Sequence, residues 1–138
     1  MADRVRKISY VHLSMPNRAG RGARTLEALK EAGVNLIALH AFPGKPRMTQ
    51  VDLVPENMTA LRRAARQNDW KLSKVKRGFL VQGDDRVGAA HRHLDRLAEA
   101  GINIIADTAL AAGKGRYAMI LWVNPKDYAR AARVLKAR

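Results

Sequence analysis

At 138 residues, 47% of them hydrophobic, the chain has material for one globular body or two half-size units, and its composition is not that of a disordered tail. It contains no cysteine, which excludes disulfide bridges and thiolate metal sites. A formal charge of +14, from 26 Lys and Arg against 12 Asp and Glu, raises nucleic acid or another polyanion as the first partner to weigh.

That charge is spread along the chain, with +6 on residues 1–70 and +8 on residues 71–138. Only Lys71, Lys74, Lys76 and Arg77 fall close together; the other cations alternate with apolar helix positions and read as solvated faces. Met1 to Tyr10 is charged rather than apolar, and the longest apolar runs, around Ile104 and Ile120, are too short to span a bilayer. The expectation is a soluble, unprocessed, cytoplasmic protein with no membrane partner.

Along the chain, Ile8 to Leu13 is β-branched and apolar and predicts a strand. A helix follows, with Asn17 as its expected N-cap, Ala23, Leu26, Leu29 and Ala32 at helical spacing, and Gly33 as its stop. Asn35 to Phe42 and Met48 to Val54 predict a hairpin turning at Pro43-Gly44-Lys45-Pro46. Pro55-Glu56-Asn57 opens a second helix through about Gln67, with Leu61, Ala64 and Ala65 inward, and Trp70 to Val75 predicts a short fourth strand.

The pattern then repeats. Pro16-Asn17-Arg18-Ala19-Gly20 and the later Leu29-Lys30-Glu31-Ala32-Gly33-Val34-Asn35-Leu36 reappear as Asp84-Asp85-Arg86-Val87-Gly88 and Leu97-Ala98-Glu99-Ala100-Gly101-Ile102-Asn103-Ile104. The offset is 68 at every matched position, and Arg63-Ala64-Ala65-Arg66 echoes Arg130-Ala131-Ala132-Arg133 with an offset shorter by one. The chain therefore reads as one unit written twice, over residues 1–76 and 77–138. In the second copy Gly78 to Gln82 predicts a strand, Arg86 to Ala100 a helix, Asn103 to Leu110 and Arg116 to Val123 a hairpin, and Pro125 to about Ala137 a helix. Its last strand is missing, which leaves an edge for a neighbouring segment or another protomer to cover. The hairpin in the middle of each copy favours an α+β fold of two ferredoxin-like βαββαβ units, the second lacking its final strand, with antiparallel sheets side by side and helices on one face.

A polar residue, Arg, one spacer and Gly after the first strand, then Gly-aliphatic-Asn-aliphatic at the second, occur as Asn17, Arg18, Gly20, Gly33, Asn35 and as Asp85, Arg86, Gly88, Gly101, Asn103. In this the chain resembles tandem ACT-domain proteins over nearly its whole length. The resemblance implies a non-catalytic regulatory module that binds a free amino acid or similar metabolite between paired units and assembles as a homodimer. It implies a binding set of Met15, Asn17, Arg18, Ala19 and Gly20 in the first loop, Asp84, Asp85, Arg86, Val87 and Gly88 in the second, and Asn35 and Asn103 on the strands. The chemistry suits a zwitterion: helix N-termini attract carboxylates, glycine admits close approach, asparagine both donates and accepts, and Asp84 and Asp85 can take an ammonium.

The same residues also serve plain structural roles, as N-caps, helix stops and strand-end hydrogen-bonders. His91 and His93 are two apart, unlike the i, i+4 spacing of helical chelation, and no metal or other cofactor is called for. His12 and His40 lie on or near first-copy strands. Gly20-Arg21-Gly22-Ala23-Arg24 is a weak phosphate-cradle signal, and Ser9, Ser14 and Ser73 have no suggestive partner for nucleophilic chemistry. Tyr10, Phe79, Tyr117 and Trp122 fit a core better than an exposed base-stacking set, which ranks nucleic acid below a small ligand, with a protein-protein interaction module as a further alternative.

Overall fold

The computed structural model describes residues 3–138. Its elements are β1 (Arg4–Pro16), α1 (Arg21–Glu31), β2 (Leu36–Pro43), β3 (Met48–Pro55), α2 (Met58–Gln67), β4 (Lys76–Asp84), α3 (His91–Glu99), β5 (Ile104–Gly113), β6 (Arg116–Val123), a 3-10 turn at Pro125–Asp127 and α4 (Tyr128–Leu135). This is the α+β order expected from the sequence, with one correction. Trp70 to Val75 is not a strand: the Ser73 N–H donates to the His12 carbonyl, but the His12 N–H donates to the Ser73 hydroxyl, so a side chain takes the place of the ladder carbonyl.

Two units follow. One is Ser9–Lys76, with strands ordered β2-β3-β1; the other joins the segment through Ile8 to Arg77–Arg138, with order β1-β4-β6-β5. β1 is thus longer than the Ile8–Leu13 expected, and its first residues go with the second copy, whereas the repeat in the sequence assigns residues 1–76 to the first. Behind Val5 and Lys7 lies Arg138, whose N–H donates to the Val5 carbonyl and whose carbonyl accepts from the Lys7 N–H. The edge that the second copy leaves uncovered in sequence is occupied by β1.

The duplication holds in register. Val11 faces Leu53 and Pro16 faces Met48 across β1 and β3, as Phe79 faces Leu121 and Asp84 faces Arg116 across β4 and β6. Both hairpins carry an irregularity at the matching place, between Leu36 and Ala38 and between Ile104 and Ala106. Alternate strand residues point to the helices, so Val11, Leu13, Val51 and Leu53 pack with Leu29, Leu61 and Ala64 in one unit. Phe79, Val81, Met119 and Leu121 pack with Leu97, Tyr128 and Ala131 in the other.

The first turn of the duplicated pattern differs from expectation in its caps. α1 is capped by Gly20 at φ 90° and α3 by Ala90, neither through a side chain, so Asn17 and Asp85 are not N-caps. The tight 29–34 and 97–102 ends do match: the Val34 N–H donates to the Leu29 carbonyl and the Ile102 N–H to the Leu97 carbonyl, each at 2.9 Å, around Gly33 at φ 70° and Gly101 at φ 71°. Only Leu29 of the proposed α1 stripe is buried; Ala23, Leu26 and Ala32 are exposed, because α1 packs through a single position. No helix among the described residues is long and apolar enough to cross a membrane.

Candidate functional site

The two strand-to-helix loops are built alike. After β1 the Asn17 N–H donates to the Arg47 carbonyl at 2.9 Å, tying the loop to the β2–β3 turn, and after β4 the Asp85 N–H donates to the Gly115 carbonyl at 2.8 Å, tying it to the β5–β6 turn. Gly20 and the equivalent Gly88 both hold positive φ, 90° and 77°, which a side chain would oppose. Asn17, Arg18, Ala19 and Gly20 are exposed, as are Asp85, Arg86, Val87 and Gly88.

Each loop leads into a helix whose first turn has neither a side-chain cap nor an acidic residue. The early N–H groups of such a helix carry partial positive charge that no acid of the helix's own first turn offsets. One exposed arginine, Arg18 or Arg86, stands in each loop beside them. The arrangement can receive a carboxylate.

The remaining members of the expected set separate from these loops. Met15 is 4% exposed and belongs to the first unit's core, so its side chain packs rather than lining a loop. Asn35 and Asn103 are exposed but precede β2 and β5 at the end where Leu36 faces Pro55 and Ile104 faces Val123. The loops lie at the opposite end, where Pro16 faces Met48 and Asp84 faces Arg116. Within a unit, then, the asparagine and the loop are a strand length apart. Asp84 is engaged by the Arg116 guanidinium at 2.7 Å, which holds its carboxyl below the usual range. The first copy has Pro16 and Met48 at these two places and so lacks this ion pair, and the two loops differ in charge through Asn17 against Asp85.

His12 and His40 flank Asp52 on neighbouring strands, each in register with it. Asp52 is buried and accepts from the Gln50 amide at 3.1 Å. Burial and the nearby Lys76 ammonium, 3.2 Å from His12 Nδ1, push the His12 pKa down against the pull of Asp52.

One cluster was not singled out from the sequence. The Asp3 carboxylate accepts hydrogen bonds from the Tyr117 hydroxyl (2.5 Å) and the Arg92 guanidinium (2.9 Å) and lies 2.6 Å from His93 Nε2, all at Oδ2. Burial opposes its ionisation, but the contacts from Tyr117, His93 and Arg92 outweigh that and lower its pKa to about 2. Burial and the same carboxylate push the Tyr117 pKa up. Gly83 makes room, since a Cβ there would overlap the Asp3 carboxyl and come within 2.9 Å of the Tyr117 ring. The available signal was divergence between copies: at the offset of 68, Thr25 and Thr49 stand where His93 and Tyr117 stand.

No protein-family model matches the chain, and no curated protein is similar to it. Solved structures are. A protein from Bacteroides thetaiotaomicron superposes with a TM-score of 0.82 at 17% identity, over 96% of this chain and 88% of that one. The regulatory subunit of aspartate kinase from Thermus thermophilus gives 0.64 at 16% identity, over 98% and 93%. The corresponding subunit from Thermus flavus gives 0.58 at 19% identity, over 98% and 94%. Identities this low establish fold alone, and the fold of this chain is the one these structures share.

Proposed function

We propose that this chain is a non-catalytic regulatory sensor of a free amino acid or similar small zwitterion, taken up at the loops Asn17–Gly20 and Asp85–Gly88. The observation that carries the reading is the doubled, side-chain-uncapped and acid-free helix start behind a positive-φ glycine and an exposed arginine. The ligand carboxylate meets helix N–H groups and Arg18 or Arg86, and Asp85 offers a partner to the ammonium in the second loop. Asp84 is held by Arg116 and is assigned no contact. Asn35 and Asn103 do not complete a pocket with the loop of their own unit. Aspartate kinase regulatory subunits share the fold, which supports a regulatory role; a cytoplasmic homodimer is part of the same proposal.

The test is a thermal-denaturation screen of the full chain against the proteinogenic amino acids. A ligand at a hundred times its dissociation constant stabilises by about 2.7 kcal/mol, and Arg18→Gln with Arg86→Gln removes the shift. If no amino acid moves the transition, the reading fails.

A further inference from the structure

The unit formed by the segment through Ile8 and Arg77–Arg138 carries a concavity that no residue of either loop lines. It is a cleft of about 460 Å³ between β1, β4 and α4, into which Lys7, Arg77, Arg133 and Lys136 converge around Tyr128 and three alanines. No acidic residue lines it. Among the described residues none of the four cations has an ion-pair partner, whereas Arg130 on the same helix donates to Asp127 and to the Ala100 carbonyl. The floor is fixed. Tyr128 is stacked on Phe79 with ring centroids 4.8 Å apart, and the Arg77 guanidinium lies over the Tyr128 ring at 4.1 Å.

The duplication supplies an internal comparison. At the repeat offsets the first copy has Ser9 for Arg77, Leu61 for Tyr128, Arg66 for Arg133 and Asp69 for Lys136. Only one of the four survives, so the cleft is not a by-product of the shared fold. Lys136 ends α4 in the left-handed region at φ 55°, as Asp69 follows α2 at φ 58°, so the backbone turn is shared by the two copies and only the second places a cation on it.

We propose that this cleft is a binding site for the oligophosphate group of a small metabolite. Four converging cations without an ion-pair partner among the described residues repel one another, and a multivalent anion relieves that repulsion more completely than a monovalent one. Arginine forks match phosphate oxygens in pairs, and Lys7 and Lys136 add point charges. A zwitterionic amino acid brings an ammonium into the same field and is disfavoured, which separates this site from the two loops. Tyr128 is already covered by Arg77, so the phosphates and not a stacked base carry the recognition. The cleft volume is that of a small-ligand site.

Isothermal titration of the full chain with inorganic tripolyphosphate at physiological salt tests this. Saturable binding at one site per chain is expected, weakened at least about tenfold in Arg133→Gln/Lys136→Gln, because each charge-assisted hydrogen bond lost is a substantial part of such an affinity. Arg62→Gln/Arg63→Gln on α2 removes the same net charge from the other unit and should change binding less than about twofold. Lys7→Gln, on an exposed strand position, repeats the test should the double variant fold poorly. Absence of saturable binding, or equal weakening by both double variants, overturns the proposal. So does binding of single-stranded RNA, lost in the cleft variant, when tripolyphosphate does not bind.

Discussion

The Tyr117 hydroxyl and the Asp3 carboxylate, 114 residues apart in sequence, meet in a short hydrogen bond behind the helix face of β6. Arg92 and His93 of α3 reach the same oxygen, so a strand, a helix and the start of β1 are joined through one buried acid.

This acid makes stability depend on pH in a defined sense. Its folded pKa, about 2, lies below the ordinary carboxylate value of 3.8, so the unfolded chain binds the proton first as pH falls. The contribution is complete above the unfolded value and is lost as pH drops toward 2. Asp3→Asn is expected to cost about 2 kcal/mol at neutral pH, and its deficit against the unsubstituted protein should shrink through this window. Urea denaturation of both proteins from pH 6 to pH 2 reads the difference; a deficit that stays constant refutes the assignment.

Gly83→Ala places a methyl group where the Asp3 carboxyl sits. Because that carboxyl is held by three partners, it cannot swing away freely, and a loss of about 1–3 kcal/mol is expected. Combining Gly83→Ala with Asp3→Ala should cost clearly less than the sum of the two single changes. Additive losses in a double-mutant cycle would show that the glycine serves something else.

Gly33 and Gly101 end α1 and α3 at φ 70° and 71°, with open space where a Cβ would stand. Alanine at either site meets only backbone strain, so each substitution should destabilise by about 1 kcal/mol and the two by the same amount. Chemical denaturation of the two single variants compares them directly.

Asn57 and Asn17 separate a capping asparagine from a loop asparagine. The Asn57 side chain accepts from the Ala60 N–H at 3.0 Å, whereas no side chain caps α1. Asn57→Ala should cost about 1 kcal/mol and Asn17→Ala less than about 0.5 kcal/mol. A large loss for Asn17→Ala in the ligand-free protein would assign that residue to structure.

The repeat made most of the fold readable. Offsets of 68 that match Gly33 with Gly101 also match Val11 with Phe79 and Leu53 with Leu121 in the folded cores, because a duplicated sequence preserves register along with its glycines. What escaped was not periodic. The Asp3 cluster depends on a residue that precedes the repeated pattern and on His93 and Tyr117, which the first copy lacks. The Trp70–Val75 segment has strand-like composition, yet a serine hydroxyl diverts its pairing. The two loops were legible through their glycines and arginines, but the placement of Asn35 and Asn103 at the far ends of their strands follows from hairpin geometry, which local motifs do not encode.

The division of β1 between two units has a kinetic consequence. Residues Arg4–Ile8 leave the ribosome before the strands they pair with, and their partners arrive only after the whole Ser9–Lys76 unit has been synthesised. Closing contacts such as Asp3 with Tyr117 and Val5 with Arg138 spans nearly the full chain, so their entropic cost falls late in folding. The inserted unit can form first and bring the flanking segments toward each other, which makes its completion the step that sets when the second unit can close.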